Sequence, residues 1–215
     1  MDLDEHEQGE RVQKWLRQNG ASLLLGITLG LGLVFGWKWW QDQGARHQEE
    51  AAAQYQSLVT AIEAKDAGKA KAFASLLSGK YADTAYAQIG QLRHAAFLQD
   101  SGKLAEAIAL LRTPTKDATP DIDELRRLRL SRLLLASGKP DEAGKELAQI
   151  GTSRYAGVAA ELRGDIAAAK GDRDGARKAY ELALTHLDQA AATRQLVELK
   201  LIDAGGQPPA AKPET

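Results

Sequence analysis

The sequence contains no cysteine, which excludes disulfides, thiolate metal sites and a thiol nucleophile and is compatible with an oxidising compartment without requiring one. It also lacks an excess of charge: 28 Lys and Arg stand against 29 Asp and Glu, a net charge of −1, and no basic block stands out. A nucleic-acid partner therefore has no electrostatic footprint. Catalytic signatures are missing too. His6, His47, His94 and His186 are scattered singly, and no phosphate-cradling loop, nucleophile elbow or zinc signature occurs. Glu161 and Asp165 share a helix face at i and i+4, but on a polar helix such a pair reads as surface or ligand groove before it reads as an acid/base dyad. These absences point away from an enzyme, a metal site and any cofactor.

Long apolar runs are also scarce, and the one exception organises the chain. Ala21 to Trp40 reads ASLLLGITLGLGLVFGWKWW, and no charged side chain lies between Gln18 and Trp37. Twenty helical residues rise about 30 Å, the thickness of a bilayer's hydrocarbon core. All four tryptophans flank this run, Trp15 before it and Trp37, Trp39 and Trp40 at its end, with Lys38 among them; amphipathic rings and a snorkelling ammonium belong at a membrane interface. Bulky indoles rather than small residues follow Gly36, and the stretch before the run is acidic, so an uncleaved anchor is expected rather than a signal peptide. Arg11, Lys14 and Arg17 precede the span and Lys38 and Arg46 follow it, a bias toward a cytoplasmic N-terminus. Ser22, Gly26 and Gly30 recur every four residues and line one helix face, a packing surface for another membrane helix or a second copy; Gly32 and Gly36 repeat the spacing on another face.

The expected organisation is all-α: a tail over 1–20, a transmembrane helix over 21–40, a tetratricopeptide-like α-solenoid over 41–204, and a proline-rich disordered tail over 205–215. After the span, Tyr55, Leu58, Val59 and Ile62 form one helical stripe, on a helix that continues from the membrane with Gly44 as its expected bend. A helix over Lys69 to Leu77, stopping near Gly79, completes a first antiparallel pair. Three further helix pairs then align. Gly102, Gly138 and Gly171 lie 36 and 33 residues apart, near the tetratricopeptide period of about 34 residues. Five residues after each glycine stands alanine (Ala107, Ala143, Ala176), and four later a larger residue (Leu111, Leu147, Tyr180). Seven residues before each glycine the crossing position is small: Ala95, Ser131 and Gly164. Glycine makes the bend, alanine lets paired helices approach, and the larger residue fills the gap between repeats. Thr113 to Pro120 reads as a longer connection, and a last helix over Gln189 to Asp203, with Leu196, Leu199 and Ile202 on one side, is expected to cap the stack.

Tetratricopeptide stacks bind other proteins on the face built by the first helix of each repeat. Counting from the turn glycines, Leu92, Ala96 and Gln99, then Leu128, Arg132 and Leu135, then Glu161, Asp165 and Ala168 face that groove. The leucines serve core packing equally well. Gln99, Arg132, Glu161 and Asp165 are the polar candidates for contacting a partner.

The arrangement as a whole resembles the YfgM-like ancillary subunits of the bacterial SecYEG translocon. The resemblance rests on the acidic tail, the VQKWLRQNG lead into a glycine-rich span, the GWKWW exit, the helix start at Ala52 to Gln56, and the block ELRGDIAAAKGDRDGARKAYE. It implies a Gram-negative inner-membrane protein with a cytoplasmic N-terminus and a periplasmic repeat domain. The partners it implies are SecYEG, a PpiD-like membrane-anchored chaperone and exported polypeptides; it brings no catalytic residues. Two other readings fit the residues: a cytosol-facing receptor for targeting segments, and a homo-oligomer built through the glycine face.

Overall fold

The computed structural model describes residues 3–151, 155–188 and 191–208, with side chains from residue 14 onward. Among these it consists of nine α-helices and no strand: α1 Leu3–Glu63, α2 Ala67–Gly79, α3 Ala85–Asp100, α4 Leu104–Arg112, α5 Pro120–Ala136, α6 Pro140–Leu147, α7 Ala156–Ala169, α8 Arg173–His186 and α9 Arg194–Asp203. The chain divides into two compact units, residues 1–50 and 51–215. The expected tail beyond residue 208 and the expected helix start at Gln189 lie outside the described residues.

The first unit is the leading part of α1. It holds the one helix among the described residues that is long and apolar enough to cross a membrane. Its large side chains are exposed: Leu24 is 68% exposed, Leu33 75% and Phe35 65%. A soluble core helix would bury such residues, so the exposure agrees with a bilayer as their solvent. Trp37 and Trp40, three residues apart, lie in contact with ring centroids 5.6 Å apart and planes tilted by 47°, as neighbours on one helix face do. Helical structure runs unbroken through Gly44; a single helical glycine lowers stability without breaking the hydrogen-bond ladder.

The second unit is a stack of helix pairs joined by one recurring turn. At Gly102, Gly138 and Gly171 φ is +75°, +76° and +78°, the left-handed conformation in which glycine carries no Cβ penalty. The N–H of the next residue then reaches the carbonyl five residues back: Lys103 to Leu98 at 2.8 Å, Lys139 to Leu134 at 2.9 Å, Asp172 to Ala167 at 3.0 Å. This double closure of the helix end is a Schellman turn. The same turn occurs twice more. Lys65 has φ +56° and Asp66 N–H bonds the Ala61 carbonyl at 2.9 Å; Gly205 has φ +86° and Gly206 N–H bonds Leu201 at 2.9 Å. The turn residues are thus 37, 36, 33 and 34 residues apart. The end of α1 with α2 is therefore a repeat in register with the others, and α9 is the first helix of a further repeat. Gly205 and Gly206, which the sequence reading places in the tail, close that fifth turn.

Local chemistry starts the helices. Asp66 accepts from Lys69 N–H at 2.9 Å, Thr84 from Ala87 N–H at 3.3 Å and Asp172 from Gly175 N–H at 2.8 Å, satisfying donors that the first turn leaves open. Pro120 and Pro140 occupy the first turns of α5 and α6, where a missing N–H costs nothing. The long 113–119 connection is tied down by Gln91, which donates to the carbonyls of Leu110 and Thr113, and by Gln88, which donates to that of Asp117 at 3.0 Å.

Side-chain size then fixes how each pair closes. The alanines five residues past each turn, Ala70, Ala107, Ala143 and Ala176, are at most 1% exposed. The crossing residue and the residue nine past the turn vary inversely: Leu58 with Ala74, Ala95 with Leu111, Ser131 with Leu147, Gly164 with Tyr180. At the last pair a Cβ on Gly164 would stand 2.3 Å from the Tyr180 ring, so the tyrosine fits only because the glycine has no side chain. Full burial of each such leucine contributes about 1.5–3 kcal/mol, and Leu58, Leu111, Leu128, Leu147 and Leu201 are all buried.

Candidate protein-binding surfaces

On α1, Ser22, Gly26 and Gly30 are exposed. A Cβ built at Gly26 or Gly30 meets nothing within 4 Å. The face is bare backbone, and small residues of this kind let a second helix approach at close range.

On the repeat unit the polar groove residues of the sequence reading separate into two pairs. Gln99 and Arg132 come together: with Ala95, Ala96, Leu111, Arg129 and Leu133 they line a cleft of about 280 Å³ between α3 and α5. Glu161 and Asp165 are occupied within the chain. Lys200 of α9 donates to Glu161 at 2.7 Å and to Asp165 at 2.9 Å, and the Tyr180 hydroxyl donates to Asp165 at 2.9 Å. Burial alone would push the Lys200 ammonium down, but its two carboxylate partners hold it above its ordinary value. Burial and the Asp165 bond push the Tyr180 phenol far up. This network joins α9 to α7 and α8, and Glu161 is only 7% exposed. Of the apolar groove positions, Leu92 and Leu128 are core residues, Ala96 and Leu135 are half-buried, and Ala168 is exposed.

The cap helix turns a different face inward from the one its sequence stripe indicates. Val197 and Leu201 are fully buried, while Leu196, Leu199 and Ile202 are 51–60% exposed. Two apolar stripes compete on α9, and Lys200 decides between them. It lies on the face of Val197 and Leu201, where the α7 carboxylates hold it. Leu196, Leu199 and Ile202 stand nine, six and three residues before Gly205, the register that Arg129, Arg132 and Leu135 occupy before Gly138. The missed signal is Gly205 itself, 34 residues beyond Gly171.

A second cleft, of about 230 Å³, opens between α2, α3 and α4, with Ala74, Phe97, Leu98 and Leu110 among its apolar lining and His94 beside them. His94 is 7% exposed and its Nδ1 makes no hydrogen bond. Burial, followed by the charges of Lys71 and Lys103 and against that of Glu106, holds the imidazole below its usual pKa. Reading His94 as an isolated histidine gave no sign of this cleft, because α2 reaches it only in the fold.

Two further arginines of α5 are paired within the chain. Buried Arg126 bonds the Leu111 carbonyl and Asp123, while Arg127 bridges Asp123 at 2.7 Å and Glu146 at 3.2 Å. Burial pushes the Asp123 carboxyl up, but the two arginines hold it below the usual range.

The model of the tetratricopeptide repeat-like domain matches residues 13–206. The ancillary SecYEG translocon subunit of Escherichia coli (strain K12) is 29% identical over 199 residues, 92% of this chain and 95% of that protein. The protein of the same name from Haemophilus influenzae (strain ATCC 51907 / DSM 11121 / KW20 / Rd) is 28% identical over 93% of this chain and 97% of its own length. That from Aggregatibacter actinomycetemcomitans is 24% identical over the same shares. No solved structure matches the chain. These relatives bear out the resemblance carried by the span, its tryptophans and the third repeat. With the five turns in register and the domain match spanning both span and repeats, the chain belongs to the tetratricopeptide repeat-like domain family.

Proposed function

We propose that this protein is a non-catalytic, single-pass adaptor of the Sec translocon in the bacterial inner membrane, with its N-terminus in the cytoplasm and its repeats in the periplasm. The observation that carries the reading is the join of a repeat stack to a helix whose apolar side chains are exposed and whose Ser22, Gly26 and Gly30 face is open. Relatives named as ancillary translocon subunits over almost their whole length support the choice of partner. In this reading the small-residue face of α1 packs against membrane helices of SecYEG or of a PpiD-like chaperone. The first-helix face of the repeats binds the chaperone or an exported chain. The repeats thereby hold a periplasmic binding surface where polypeptides emerge.

Topology is tested by protease digestion of spheroplasts followed by pull-down of the tagged chain. Digestion of the repeats in intact spheroplasts, with SecYEG subunits retained by the undigested protein, is the expected result. Protection until lysis, beside a digested periplasmic control, would place the repeats in the cytosol and favour a receptor for targeting segments.

A further inference from the structure

Three arginines on the first-helix face make no ion pair among the described residues. Arg93 lies on α3, Arg129 and Arg132 on α5, and none of them has a carboxylate within 4 Å. Five other arginines of the unit do, while Arg163 and Arg173 do not: Arg112 pairs with Glu142, Arg126 and Arg127 with Asp123, Arg177 with Asp174, and Arg194 with Glu198. Arg93 and Arg129 occupy the same register position in successive repeats, each nine residues before its turn glycine. The Arg129 guanidinium is half-buried and fixed, its Nη1 donating to the Leu92 carbonyl at 3.0 Å. Burial and the like charges of Arg132 and Arg93 hold it below its ordinary pKa, so the cluster is repulsive as it stands. Beside it lies the cleft with Gln99, Arg132 and the apolar floor of Ala95, Ala96, Leu111 and Leu133. At about 280 Å³ it has room for side chains of an extended segment rather than for a cofactor.

We infer that the Arg93, Arg129, Arg132 and Gln99 face of α3 and α5 binds an acidic segment of a partner polypeptide. Asp or Glu carboxylates are received by the arginines and a small apolar side chain enters the cleft. Charge complementarity selects the occupant: planar guanidinium forks match carboxylates in two-point contact, and an anion relieves the repulsion among the three cations. The next repeat does not extend the site, since the register positions of Arg129 and Arg132 there hold Leu162 and Asp165, the latter bonded to Lys200. The inference rests on the proposal that the first-helix face is the partner-binding face.

The test uses the full chain in neutral detergent micelles and a fluorescein-labelled octaglutamate peptide, with octalysine and octaglutamine as controls, read by fluorescence anisotropy. Octaglutamate alone is expected to bind, more weakly as salt rises. The R93E/R132E variant leaves the Arg129 bond to Leu92 in place and is expected to bind octaglutamate at least about tenfold more weakly and to bind octalysine in its stead, with an unchanged melting curve. Equal octaglutamate affinity in a folded R93E/R132E chain, or no binding to the wild-type chain, would overturn the inference. So would displacement of the peptide by phosphatidylglycerol doped into the micelles together with arginine-dependent binding of that lipid, which would make the site a lipid site. Pull-down of SecYEG by the wild-type chain separates the two claims. Translocon retained by a wild-type chain that binds no octaglutamate removes the acidic-segment assignment and leaves the adaptor reading, whereas octaglutamate binding without translocon does the reverse.

Discussion

At the scale of the residue, three buried polar atoms lack partners among the described residues, on Glu124, Ser131 and His94, and the last two make a measurable difference. Ser131 Oγ is fully buried and makes no hydrogen bond. The crossing position needs a small side chain but has no use for a hydroxyl. Ser131→Ala is expected to stabilise the repeat unit by about 1 kcal/mol, because a buried unsatisfied hydroxyl is removed and a better helix former introduced; urea unfolding followed by circular dichroism reads it, and a loss of stability would show that the hydroxyl has a partner. His94 acts through pH. Its folded pKa lies below the usual 6.5, so the unfolded chain takes up its proton first as pH falls. Stability is therefore level above about pH 6.5 and declines below it toward the lower folded pKa. His94→Leu is expected to flatten this decline between pH 6.5 and 5, before the carboxylates titrate. An unchanged slope would mean that His94 is not held neutral.

At the scale of the element, the helix pairs close by complementary sizes across a turn of fixed conformation. Gly164→Ala brings a Cβ against the Tyr180 ring and is expected to cost about 1–3 kcal/mol. Combining it with Tyr180→Leu recreates the Ala95 and Leu111 pairing of the α3 and α4 repeat. The double variant should lose less than the sum of the single losses by at least about 0.5 kcal/mol; strict additivity in thermal unfolding would show that the two positions do not compensate. The sequence displayed this much plainly, because a glycine at φ near +75°, an alanine five residues on and a bulky residue four beyond that are chemical requirements that leave letters behind. It concealed the two ends of the stack. Lys65 adopts the left-handed turn without being glycine, so a search for glycines passes over the first repeat. On α9 the apolar spacing allows two faces, and the choice between them is made by Lys200 meeting Glu161 and Asp165, carboxylates 39 and 35 residues away. For the same reason two of the four polar groove candidates, Glu161 and Asp165, are engaged by bonds within the chain. The face that remains open gained Arg93 and Arg129, which become visible as a group only when α3 and α5 lie side by side.

At the scale of the whole molecule, the sequence joins a helix long and apolar enough to cross a membrane to a stack of repeats, and on the proposed function those repeats present a polar recognition face. Membrane proximity is then part of the function: an anchored repeat unit meets its partner at a high effective concentration, and modest affinity per contact is enough. Gly26→Leu with Gly30→Leu is expected to reduce co-purification of SecYEG severalfold, since leucines would hold helices apart where backbone contact is needed, while the repeat unit's far-ultraviolet circular dichroism and melting stay unchanged. Retention of the translocon by this folded variant would remove that face from docking.

The central claim is that the small-residue face of α1 lies against the translocon, and site-directed photocrosslinking in native inner membranes tests it most directly. A photoreactive residue at Gly26 or Gly30 is expected to yield adducts with a SecYEG subunit or with a membrane-anchored chaperone bound to it, and one at Leu24, on the opposite face by helical geometry, is expected to yield few. Adducts only between copies of this chain, or none with the translocon machinery from a protein that is inserted and folded, would contradict the account.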